Sequence, residues 1–276
     1  MISFLINALK IIFLLGFLIL IHEGGHCIVA KLCKVKVNEF AIGFGKVIWQ
    51  KQGKETKYSL RMIPLGGFCS MEGEEEASDS EGSFSKASVW KRIAIVVAGA
   101  AVNIIFGIIV YFVLVSTVGL QFADPTKDTF LNRIYYGSQR TGAFIGSIFE
   151  SIKMLFTGGV KTDQMVGIVG ISEVVVQTSK LVDYIYLLSV ISVSLGVTNL
   201  LPIPALDGGK ILVLLIEIIR RKPMKVETEA KIQLIGFSIL IALSLFVTYN
   251  DILRIGSWKN IKKIFNNTFL ETCQNC

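Results

Sequence analysis

The stretch Ile11-Ile-Phe-Leu-Leu-Gly-Phe-Leu-Ile-Leu-Ile21, running without a break into His22-Glu23-Gly24-Gly25-His26, decides how this chain is read. The apolar run belongs to a predominantly apolar region over roughly 3–30, and about 20 such residues at 1.5 Å each span the hydrocarbon of a bilayer. The chain has two histidines in all, and both sit here. On a helix they lie at i and i+4, one turn apart on one face, where both imidazoles can grip one Zn²⁺. Glu23 is offset by about 100°, beside such a metal, where a general base for water would sit. The run predicts a zinc hydrolase whose chemistry takes place inside a membrane. A cleaved signal peptide is a poorer reading, because Met1-Ile-Ser-Phe-Leu-Ile-Asn7 carries no basic residue, the apolar region as a whole exceeds the usual 7–15, and it ends in His/Glu/His rather than a small-residue cleavage site.

Working outward, three further apolar regions follow, at roughly 91–118, 185–219 and 232–249. Of the 276 residues, 52% are hydrophobic. That fraction is only slightly above the 45–50% of soluble domains, so the long uncharged runs carry the argument. They predict an α-helical polytopic membrane protein, one domain over 1–276, with about four transmembrane helices, the third broken by proline. The net charge is +7, and its placement matters more than its size. The connection 31–92 holds eleven Lys/Arg and 220–231 holds five, against six in 119–184 and four after Asn250. The positive-inside rule then puts 31–92 and 220–231 in the cytoplasm and both termini outside. The basic excess is accounted for by topology and anionic lipid; no nucleic-acid module is visible.

Between the first two spans, 35–52 and 56–64 alternate loosely with period two around a turn at Gly53-Lys54, predicting membrane-associated β-hairpins over 35–68. The acidic run 71–87 reads as a solvated linker. In 119–184 an amphipathic helix is expected over 135–156, and an interfacial helix over 252–270. Asn103, Gly99 and Gly107 in the second span predict close helix packing. Cys273 and Cys276 form a lone CxxC, too few ligands for a second zinc site.

Catalytic zinc takes three protein ligands and leaves one position open. With no third histidine, the remaining ligand must be Asp, Glu or Cys. Asp207 stands out in Asn199-Leu-Leu-Pro-Ile-Pro-Ala-Leu-Asp-Gly-Gly209, because a carboxylate in an apolar span is costly unless paired or metal-bound. Pro202 and Pro204 break that helix, and broken backbone at membrane depth must be buried in protein or line a wet cavity. The bland alternative is an Asp that merely caps the next helix.

With HExxH on one membrane helix and NxxPxPxLDGG on another, the chain resembles the site-2 protease family of zinc intramembrane metalloproteases. It looks most like the bacterial RIP metalloprotease branch. The resemblance implies Zn²⁺ as cofactor held by His22, His26 and Asp207, Glu23 as the catalytic glutamate, and Asn199 near the scissile carbonyl. It implies that Gly43, Phe44 and Gly45, with Pro64, Leu65, Gly66 and Gly67, belong to a re-entrant β segment that holds substrate. It also implies an inner-membrane location, and single-pass transmembrane substrates such as anti-sigma factors or remnant signal peptides. Thr248-Tyr-Asn-Asp251 fits the end of the family's last helix. The chain departs from the pattern in three places: Gly167-Ile-Val-Gly-Ile171, Gly43-Phe-Gly-Lys46 and Ala100 each lack an expected proline. Moreover, 119–184 is too short for the usual PDZ domain. With the helix starting near Phe4, His22 lies about 27 Å along the axis, which puts the zinc toward the cytoplasmic side. A non-catalytic zinc scaffold or an ion pathway is the rival reading, and an intact Glu23 speaks against it.

Overall fold

The computed structural model describes residues 2–74, 76, 78–120, 125–159 and 167–254. Helix α1 (Ile2–Leu32) is followed by strands β1 (Val37–Gln52) and β2 (Lys57–Met71), then α2 (Val89–Thr117). After a 3-10 turn at Pro125–Lys127 come α3 (Phe130–Thr157), α4 (Ile168–Gln177), α5 (Leu181–Asn199), α6 (Asp207–Arg220) and α7 (Val226–Arg254). Among the described residues, four helical segments are long and apolar enough to cross a bilayer: Leu5–Leu32, Val89–Thr117, Leu181–Asn199 and Glu227–Leu253. A helix suits this solvent because it satisfies every backbone polar group internally. The expected third span is indeed broken, with residues 200–206 separating α5 from α6. Beyond Arg254 the expected interfacial helix and the Cys273/Cys276 pair lie outside the described residues.

The chain falls into two compact units, Met1–Ile105 with Ser192–Ile241, and Phe106–Ile191 with Ala242–Cys276. The first holds the β region. Gln52 pairs with Lys57 across the turn and Phe44 with Ile63, while Val37 pairs with Met71 and Ile42 with Gly67. Residues 39–42 have a second set of partners at 57–60, so the first half of β1 lies between two stretches of β2. The sheet runs to Met71, past the predicted end at Phe68, because Phe40↔Cys69 and Val37↔Met71 continue the ladder and bury Val37, Cys69 and Met71. Val47, Ile48, Trp49, Met62 and Ile63 are exposed large apolar groups, a surface that lipid covers without cost. The sheet reaches membrane depth along α1: a Cβ at Gly16 would stand 3.3 Å from the Pro64 carbonyl oxygen.

The described residues of 72–87 form no helix or strand, yet the picture of a loosely solvated linker needs correction. Phe84 is buried in the core with Cys27, Val35, Val37, Ile95 and Leu214, and the Arg92 and Lys210 cations lie over its ring. Glu72 accepts hydrogen bonds from Asn38, Ser78 and Ser80. One aromatic residue and a few local bonds suffice to dock an acidic stretch that average composition would leave free. Where α2 meets α5 in this unit, the glue is a main-chain group: Ser192 donates to the Asn103 carbonyl at 2.8 Å, and Gly196 sits against Ala100 and Ile104. The Asn103 side-chain amide is buried without a partner.

In the second unit α3 is the expected amphipathic helix, longer than read and capped by Thr129. Tyr111 stacks on Phe144 at 4.2 Å. Helix α4 occupies part of the Gly167–Ile171 motif. It has no side-chain cap of its own; Asp251 of α7 supplies one, accepting from the N–H groups of Gly167 and Gly170.

Candidate metal centre

Three elements of the first unit bring the chemistry together. Helix α1 carries His22, Glu23 and His26. Gly25 and Gly99 let it approach α2 closely: a Cβ at Gly25 would lie 2.7 Å from the Ala98 carbonyl oxygen, and one at Gly99 only 2.3 Å from His26 Nε2. The His26 ring is fixed by Nδ1 donating to the Ile95 carbonyl at 2.8 Å. A proton committed to Nδ1 leaves the Nε2 lone pair free, as a metal-ligating imidazole requires.

Asp207 arrives from the broken span. The prolines end α5 at Asn199, and the chain turns through Ala205, whose φ of 74° is a left-handed conformation that costs a non-glycine residue energy. Gly208 and Gly209 are required by close approach, since Cβ atoms there would lie 2.1 Å and 2.4 Å from the carbonyl oxygens of Leu201 and Ile203. Asp207 opens α6 but does not cap it. The flanking residue is Leu206, and no side chain bonds the helix N-terminus. The Asp207 carboxylate turns to the histidines instead.

Asp207 Oδ2 lies 3.2 Å from His22 Nε2 and 3.4 Å from His26 Nε2, and the two Nε2 atoms are 3.2 Å apart. Three acceptor-bearing atoms thus face one another in a small triangle, all within 4.8 Å. Oδ2 is buried without a hydrogen-bond partner, and so is His22 Nδ1. Tetrahedral zinc with bonds of about 2.0–2.1 Å has ligand–ligand edges of about 3.3–3.4 Å. The triangle matches that edge, and a buried orphan carboxylate oxygen at its apex calls for a cation. The residues present fit zinc.

Glu23 is held separately. Its Oε2 accepts the Cys69 backbone N–H at 3.1 Å, and a Cβ on Gly67 would stand 3.7 Å from its Cγ. The final stretch of β2 therefore lies over the glutamate. Sequence reasoning passed over Cys69 in this role because a main-chain donor leaves no mark on residue type. Both groups open into a cavity of about 990 Å³ lined by His22, Glu23, His26, Phe44, Phe68 and Cys69, with Lys210 and Glu74 joined by an ion pair at its polar end.

Of the predicted substrate residues, Phe44 lines this cavity. Gly43, Gly45, Pro64, Gly66 and Gly67 belong to β1 and β2 but are not among the cavity's lining residues; Gly43, Gly45 and Gly66 take positive φ. The Phe44 ring covers Gly66, whose Cβ would collide with it. The Leu65 side chain lies outside the described residues. Asn199 ends α5, half-buried, and is not among the cavity-lining residues. Phe68 and Lys210, which the sequence reading did not single out as site residues, are.

Residues 10–243 match peptidase family M50. The chain is 28% identical to a Clostridium acetobutylicum protein bearing a zinc metalloprotease name, over 89% of this chain and 97% of that protein. It is 30% identical to a similarly named Clostridium perfringens protein, over 86% and 95%. To the regulator of sigma-W protease RasP of Bacillus subtilis it is 24% identical, over 91% and 99%.

Proposed function

The chain belongs to peptidase family M50, and from that premise we propose that it is an endopeptidase cutting the transmembrane segments of single-pass membrane proteins. That it is a zinc-dependent intramembrane protease with membrane-embedded substrates follows from the family and its named relatives. His22, His26 and Asp207 are proposed as the zinc ligands and Glu23 as general base and acid. The observation that carries this is the convergence of the three ligand atoms beside a glutamate anchored to Cys69. Bound there, zinc supplies a Lewis acid for the scissile carbonyl and for water. Glu23 accepts the proton of the attacking water and hands it to the departing nitrogen. The Cys69 N–H keeps that carboxylate aimed at the cavity while it does so. Asn199 is proposed to reach the carbonyl oxygen once substrate is bound.

A substrate helix hides its carbonyls in its own hydrogen bonds, so it must unwind before attack. The edge of the 35–64 hairpin region is proposed to accept the unwound segment as an added strand. Phe44 and the adjoining end of β2, both lining the cavity, support that reading. Unchanged cleavage and crosslinking across a proline scan of 36–62 would dismiss it. Both termini are proposed to lie outside the bacterial inner membrane, with the zinc toward the cytoplasm. No PDZ domain is proposed between the second and third spans. That reading rests on the length of the connection 119–184. Anti-sigma factors and remnant signal peptides are the proposed substrate class.

The test compares wild type with Glu23→Gln on a single-pass substrate in liposomes, with a zinc chelator alongside. Cleavage should fall by about 10²–10⁴-fold, the usual value of general acid–base catalysis, while zinc content is kept. Equal processing by both proteins would favour a non-catalytic zinc scaffold.

A further inference from the structure

Outside the metal centre the first unit holds a second cavity, of about 870 Å³, lined by Lys31, Lys34, Lys36 and Lys54 with Val35, Thr56 and Tyr58. Glu55, Glu81 and Gly82 complete its rim, leaving the lining with two more positive than negative charges. Lys31 donates to the Tyr58 hydroxyl at 3.0 Å and so forms a fixed wall. Lys34, Lys36 and Lys54 are exposed, and none makes an ion-pair contact among the described residues. The walls are pinned by backbone: Lys36 N–H donates to the Gly82 carbonyl and Gly53 N–H to that of Thr56, both at 2.9 Å. Thr56 is 2% exposed, and its hydroxyl oxygen has no hydrogen-bond partner. A buried, unpaired hydroxyl costs free energy that a ligand can return.

The cavity's level in the membrane decides what fills it. Lys31 is in the last turn of α1, at the end of the span Leu5–Leu32. Three exposed ammonium groups therefore stand where a bilayer presents its headgroups, with the Thr56 hydroxyl buried in the same lining. Basic pockets at this depth recognise anionic lipid phosphates. We propose that this cavity binds the phosphate of an anionic phospholipid headgroup, with Lys34, Lys36 and Lys54 as its charged ligands and Thr56 as a hydrogen-bonding one. The site is separate from the zinc cavity, shares no lining residue with it, and owes nothing to the protease reading.

The full chain in detergent is titrated with short-chain phosphatidylglycerol, with short-chain phosphatidylcholine, and with inorganic phosphate, following thermal stability. Phosphatidylglycerol should stabilise the chain and phosphatidylcholine should not. The triple variant Lys34→Gln, Lys36→Gln, Lys54→Gln should bind about 100-fold more weakly, about fivefold per lysine near an anionic surface. Thr56→Val should lose about fivefold, the net value of one hydrogen bond, while being at least as stable as wild type without lipid, since it removes an unpaired buried hydroxyl. An equal-charge control, Lys46→Gln, Lys51→Gln, Lys222→Gln, should bind as wild type does. The proposal is overturned if that control loses as much as the pocket triple, or if both lipids stabilise equally. Inorganic phosphate that displaces phosphatidylglycerol at equal concentration would assign the site to a free anion and overturn the lipid source.

Discussion

His26 is held on two sides, by the Ile95 carbonyl on Nδ1 and by the bare backbone of Gly99 beneath the ring. A methyl group at position 99 has nowhere to go, because the α2 backbone is already fixed against Gly25. Gly99→Ala should therefore weaken zinc binding at least tenfold, the low end for a disturbed ligand support, while the chain still inserts into membranes. Wild-type zinc affinity in that variant would show that the ring has room to spare. At this scale the sequence was legible where the candidate site is made of side chains. His22, His26 and Glu23 declare themselves by spacing, and Asp207 by being a carboxylate in an apolar run. The supports were not legible: the Ile95 carbonyl, the Cys69 N–H and the space under Gly99 belong to the backbone, which every residue shares.

Among the elements, the sheet is the one whose stability depends most visibly on a single charge. Glu39 accepts hydrogen bonds from Ser59 and from Arg61 at 2.8 Å, and Lys57 stands 3.7 Å away. Burial pushes its carboxyl up, but the Ser59 and Arg61 bonds outweigh that and hold it below the usual carboxylate range. A depressed folded value means that the charge stabilises the fold above the unfolded pKa of about 4.3. That contribution is lost as pH falls through the folded value. Wild type should therefore be more stable than Glu39→Gln in detergent at pH 7, with the gap closing below about pH 4. A gap independent of pH would show that shape, rather than charge, sets the contribution. The β region could be foreseen from alternation and its turn residues. Its continuation to Met71 could not, because pairing partners 30 residues apart leave no local pattern. The same holds for α4, whose N-terminus is closed by Asp251 from the far end of the sequence.

At the scale of the whole molecule, four apolar helices among the described residues make an integral membrane protein, and a polar lock inside the first unit holds two helices of the candidate metal site in register. Arg92 of α2 donates to Glu217 of α6 at 2.7 Å, both ends are nearly buried, and Glu217 also accepts the Met224 N–H. One of these helices supplies Ile95 and the other Asp207. Removing one partner strands a buried charge at a cost of about 3–5 kcal/mol, whereas replacing both by apolar groups is often neutral. Arg92→Met should thus lower the melting temperature in detergent sharply, and Arg92→Met with Glu217→Leu should recover most of it. A single variant as stable as wild type would mean that water reaches the pair. The spans were legible as long uncharged runs, but this lock was not, since two charges 125 residues apart can be paired only by the fold.

The account stands most directly on the metal content of the purified full chain, measured in wild type, Glu23→Gln and Asp207→Ala. One zinc per chain should be found in the first two and almost none in the third, since Asp207 closes the triangle with His22 and His26. Wild type without stoichiometric zinc, or Asp207→Ala holding it as firmly as before, would contradict the site.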